Sequence, residues 1–192
     1  MKELPPPAVP QPISCPIRPL EGNDLADCLP ALTRLGSEIG SAISFESITG
    51  GASGFYVPAT KRIVIDCSMA VNQQVSVACH ELAHALVRAD RQDGDPELDY
   101  ASEELVVESV AFTVVRSLGI DARSASIPYL AAWSQSSDLS VIEKTAGLID
   151  RLAKRLEDAL QSNGVDAPVD AEIGDQAAVH EHAGEVRLTV AA

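Results

Sequence analysis

Apolar positions recur at helical spacing in four stretches of this chain and crowd into three short runs behind the first of them. Leu25, Leu29, Leu32 and Leu35 follow the helix-start pair Asn23-Asp24, and Pro30 either interrupts that helix or marks its first turn. Ser44–Ile48 reads as a short strand. Gly54–Val57 and Arg62–Asp66, joined by Pro58-Ala59-Thr60-Lys61, read as a β-hairpin. Val75, Cys79, Leu82, Leu86 and Val87 then form the apolar face of a helix over Asn72–Arg88. A polar loop with five acids spans Ala89–Tyr100. Ser102 is the candidate N-cap of a helix reaching Leu118, with Gly119 as its stop. Ile142, Ile149, Leu152, Leu156 and Leu160 line one side of a long helix over Leu139–Ser162, closed by Gly164. Strands gathered ahead of helices predict an α+β domain, with a small twisted sheet of three strands packed against the helices.

The pattern sets the domain limits. Residues 1–19 open with Pro5, Pro6, Pro7, Pro10 and Pro12 and read as an extended arm. Residues 20–164 hold the periodic elements. Residues 165–192 carry six acids against one base with little periodicity and read as a mobile acidic tail. The net charge of −14, with no Lys/Arg cluster to counter it, is a poor match to phosphate, so direct nucleic-acid binding is not expected. No run has the length of a membrane span and the opening residues lack the apolar core of a signal peptide, which predicts a soluble cytoplasmic protein with no membrane partner. Cys15, Cys28, Cys67 and Cys79 form no C-x-x-C pair, against both a disulfide framework and a zinc knuckle.

Within the second predicted helix, His80-Glu81-Leu82-Ala83-His84 is an H-E-x-x-H motif. Residues four apart share one face of a helix, so both imidazoles stand side by side, ready to grip one cation, and neutral imidazole is a common zinc ligand. Glu81 is placed to act as general base on a water that zinc makes acidic. One zinc per chain is the expected cofactor. A catalytic zinc keeps three protein ligands and an open position. No histidine follows His84 until His180, so the third ligand is expected to be a carboxylate on a later helix. Glu104 and Glu108 are the candidates. Glu108 is set in the apolar run Leu105–Phe112, where a carboxylate is costly unless paired or metal-bound, and is the expected ligand. Glu104, near the helix start, is expected in a supporting role.

These segments, with Gly54–Ile65 before the metal helix and Ala125–Trp133 after the glutamate helix, resemble the gluzincin-type zinc peptidase domain of the ImmA/IrrE group. They are most similar to the C-terminal metallopeptidase domain of ArdC-type antirestriction proteins, across residues 20–160. The resemblance implies a zincin-like fold, zinc held by His80, His84 and Glu108, Glu81 as catalytic base, and a protein or peptide substrate of a regulatory kind. ArdC-type proteins carry a single-stranded-DNA-binding domain upstream, where this chain has a proline-rich arm, so DNA binding is not carried over. Tyr129 is a candidate donor to a developing oxyanion, with Tyr56 and Tyr100 behind it. Arg62–Asp66 is a candidate edge strand for an extended peptide. The rival reading is an antirestriction or regulatory binding protein that acts through its acidic surface, with zinc structural. Glu81 argues against it, since a structural site needs no base.

Overall fold

The computed structural model describes residues 18–123 and 139–162. Tyr129, Trp133, most of the arm and the whole acidic tail lie outside these residues. The described residues form four helices and a three-stranded mixed sheet, an α+β arrangement.

Helix α1 spans Cys28–Glu38. Asn23-Asp24 does not start it directly. Ala26 N–H donates to the Asn23 carbonyl at 3.1 Å and Cys28 N–H to that of Leu25 at 2.9 Å, so a turn comes first. Pro30 therefore falls in the first helical turn, where its missing N–H costs no intrahelical bond. Strand β1 is Ala42–Glu46, slightly earlier than the sequence pattern suggests, β2 is Gly54–Val57 and β3 is Arg62–Asp66. The order is β1-β3-β2. β1 runs parallel to β3, with Ala42 opposite Arg62, and β2 runs antiparallel to it, with Gly54 opposite Ile65. β3 is thus the central strand, which corrects its expected role as an edge for substrate. Ile63, Val64 and Ile65 are all buried, the unbroken apolar run of a strand covered on both faces. β2 is the edge nearest the functional residues.

Helix α2 spans Val71–Ala89, α3 Tyr100–Ser117 and α4 Leu139–Gln161. α2 packs on β2, β3, α1, α3 and α4, which makes it the centre of the molecule. Leu32, Leu35, Val75, Leu82, Leu86, Val106, Val110, Leu152 and Leu156 join Ile63 and Ile65 in one aliphatic core. Each such side chain contributes about 1.5–3 kcal/mol on full burial.

Polar bonds fix the ends of these elements. Asn72 is buried at the start of α2. Its Oδ1 accepts from Leu25 N–H at 3.0 Å, and its Nδ2 donates to the Glu21 carbonyl at 2.7 Å and to Asp24 Oδ2 at 3.0 Å. This ties the segment before α1 to the metal-motif helix. α3 is capped by Asp99, whose carboxylate accepts from Ser102 N–H at 2.8 Å, rather than by Ser102 itself. The helix accordingly begins before the expected cap. At its far end Gly119 takes φ +86°, Gly119 N–H reaches the Arg116 carbonyl at 3.0 Å and Ile120 N–H that of Val115 at 3.3 Å. That is the Schellman closure its glycine predicts. No helix among the described residues is long and apolar enough to cross a membrane.

Candidate metal centre

His80 and His84 project from one face of α2 with ring centroids 5.0 Å apart and planes at 72°. Each ring is held from behind by a carboxylate of α3. His80 Nδ1 lies 3.1 Å from Glu108 Oε2, and His84 Nδ1 lies 2.8 Å from Glu103 Oε1. The partner numbers fall along α3 as they rise along α2, so the two helices run antiparallel. A carboxylate only accepts, so each Nδ1 carries the proton and each Nε2 presents its lone pair.

Both lone pairs face one group. Glu104 Oε2 is 3.6 Å from His80 Nε2, and Glu104 Oε1 is 3.6 Å from His84 Nε2. These separations are too long for hydrogen bonds. Two donors held about 2.0–2.1 Å from one tetrahedral zinc lie about 3.4 Å apart, close to what is found. Donor atoms of His80, His84 and Glu104 all fall within 4.8 Å of one another, so these three could hold one cation, and two imidazoles with a carboxylate suit zinc.

Glu81 lies beside them, 8% exposed, and accepts from the Tyr56 backbone N–H of β2. Burial raises its carboxyl above the ordinary range, and the adjacent imidazoles draw it back only in part. The close approach of β2 depends on Gly54, where a Cβ would meet Val77 Cγ1 at 2.6 Å and the Val64 carbonyl oxygen at 3.0 Å. The cleft over these residues has a volume of about 380 Å³, walled by β2 on one side and the start of α3 on the other.

A family model of zincin-like metallopeptidases matches residues 36–148, more than half of the chain and all of the residues just described. The chain belongs to the zincin-like metallopeptidase family. An uncharacterized protein of Bacillus anthracis is 27% identical over 107 residues, which are 50% of this chain and 18% of that relative. The chain thus spans a small part of the length of the curated relative it matches. No solved structure matches it. The α+β fold is that of a zincin, and membership implies a bound metal, zinc by the name of the family.

Within this zincin, α3 contributes its carboxylates differently from the sequence-based expectation. Glu108, expected as the third ligand, lies behind His80 and bonds Nδ1, on the far side of the ring from Nε2. Glu104, expected in support, faces both Nε2 atoms. The expectation used the cost of an unpaired carboxylate in an apolar run, and an imidazole N–H meets that need as well as a metal does. Burial works against a charge on His80, but the bond to Glu108 and the nearby Glu81 and Glu104 outweigh it and raise its pKa.

Sequence reasoning passed over Glu103 and Arg88. Burial would raise the Glu103 carboxyl, yet bonds from Arg88 and His84 hold it below the ordinary range. Arg88 follows His84 by one helical turn, which is the only sequence signal for it; its partner across the helix interface has none. Tyr100 lines the cleft and hydrogen-bonds Glu104. Tyr56 offers the base its backbone N–H. Phe55 and Tyr100, the exposed large apolar residues among those described, both border the cleft. Cys79 is fully buried and its thiol is pushed up to about 12 by burial, so it stays a core residue beside the motif.

Proposed function

We propose that this zincin hydrolyses peptide bonds with one zinc held by His80, His84 and Glu104, and with Glu81 as general base. The observation that carries this is the convergence of both Nε2 atoms on Glu104 with both Nδ1 atoms held from behind. Zinc supplies Lewis acidity, polarising a carbonyl and lowering the pKa of water to about 7. Glu81 takes the proton of the attacking water and returns it to the leaving amine. Its burial favours that return, because a raised pKa brings the carboxyl closer to the working pH. Glu103 and Glu108 orient the imidazoles. Tyr129 keeps its place as candidate oxyanion donor.

The substrate we infer is an extended stretch of protein laid along the edge of β2, with a side chain between Phe55 and Tyr100. The resemblance to ImmA/IrrE and ArdC-type domains supports a regulatory protein as the natural target. Incubation of the zinc-loaded chain with an unfolded protein tests the activity. Defined cleavage products should appear by mass spectrometry, vanish with a chelator and return when zinc is restored. Cleavage that a chelator leaves untouched, or no cleavage of any of a broad peptide library, would overturn the reading.

A further inference from the structure

Resting on the zinc reading above, we infer that Arg88 is a positioning residue of the metal centre, which fixes Glu103 and through it the ring of His84. Arg88 Nη1 donates to Glu103 Oε1 at 2.6 Å, and Nη2 donates to Oε2 at 3.1 Å. The fork of the guanidinium thus matches both oxygens of one carboxylate, a geometry that fixes direction as well as distance. Nη1 also donates to the His84 backbone carbonyl at 2.9 Å, which anchors the clamp to the turn it serves. Glu103 Oε1 is therefore shared between Arg88 and His84 Nδ1, the latter at 2.8 Å.

The guanidinium carbon of Arg88 also lies over the Tyr56 ring, 5.9 Å from its centre. Tyr56 is also the residue whose backbone N–H serves Glu81. Arg88 thus spans from the α3 carboxylate that holds a ligand to the β2 residue that serves the base. The two imidazoles are supported unequally. Among the described residues no arginine pairs with Glu108, so His80 rests on that carboxylate alone, whereas the carboxylate behind His84 is itself locked. Releasing Glu103 lets it turn away from Nδ1, and loss of such support weakens a metal site about 10–100-fold.

The test is zinc affinity of the metal-free full chain, measured by competition with a chromophoric chelator, with melting curves alongside. Arg88 is part-exposed, with 44% of its side chain accessible, so Arg88→Met should still fold, melting somewhat below wild type because Glu103 loses its cation. Its zinc Kd should rise about 10–100-fold. Arg91→Met, which removes a surface pair with Glu97 and touches none of the metal-site residues, should bind as wild type does. Arg88→Lys, a point charge that cannot grip both oxygens, should recover part of the loss. Glu103→Gln combined with Arg88→Met should bind no more weakly than Glu103→Gln alone, because the arginine acts through that carboxylate. Wild-type affinity in Arg88→Met, or losses that multiply in the double variant, would overturn the proposal while one zinc in the wild type upholds the site. No zinc in the wild type would remove both readings together.

Discussion

Glu81→Gln should bind zinc as well as the wild type does and cleave peptides about 10²–10⁴-fold more slowly, the range that a positioned general base supplies. Glutamine keeps the size of the side chain, and its amide oxygen can still accept the Tyr56 N–H that now reaches Glu81. What it loses is the ability to take and return a proton. The variant should melt no lower than the wild type, because the carboxylate is buried at 8% exposure and burial disfavours its charge. Metal content, a melting curve and the rate on a fluorogenic peptide check the three statements. A variant that cleaves at the wild-type rate would remove Glu81 from the chemistry.

The second large effect separates two carboxylates one helical turn apart on α3. Glu104→Ala should weaken zinc binding by more than about 100-fold, beyond what loss of an orienting group produces, whereas Glu108→Ala should fall within about 10–100-fold. The ranking follows from position. Glu104 oxygens stand 3.6 Å from both Nε2 atoms, while Glu108 reaches His80 only at Nδ1, at 3.1 Å. Competition with a chelator of known affinity measures both variants. The reverse ranking would restore Glu108 as ligand and make Glu104 the supporting group.

That pair also marks where the sequence becomes unreadable. The helices, the hairpin and the H-E-x-x-H spacing are local patterns, and periodicity or turn residues locate each element, with the starts of α1 and α3 and the span of β1 shifted by a few residues. The α+β class follows from their order. The relation between α2 and α3 is not local. Which of Glu103, Glu104 and Glu108 meets a ring at Nδ1 and which faces Nε2 depends on how far α3 is rotated and slid against α2, and side-chain packing at the helix interface sets that. Glu103 and Glu104 are neighbours in sequence but stand about 100° apart around the helix. One therefore passes behind His84 as the other comes in front. The cap at Asp99 instead of Ser102 is a smaller case, since both residue types cap well and only the path of the incoming chain chooses. The central place of β3 was legible in principle: Ile63-Val64-Ile65 is a continuous apolar run, and a half-exposed edge strand would alternate. β1, which covers its other side, comes before the hairpin and pairs parallel to β3, a contact no turn residue announces.

The proposed metal centre between α2 and α3 of this zincin holds one zinc. The measurement that tests it most directly is the metal content of the full wild-type chain after zinc loading and removal of free ion, by mass spectrometry of the elements. One zinc per chain, displaced only by a strong chelator, is the predicted result. A chain that takes up no zinc would rule out the metal centre.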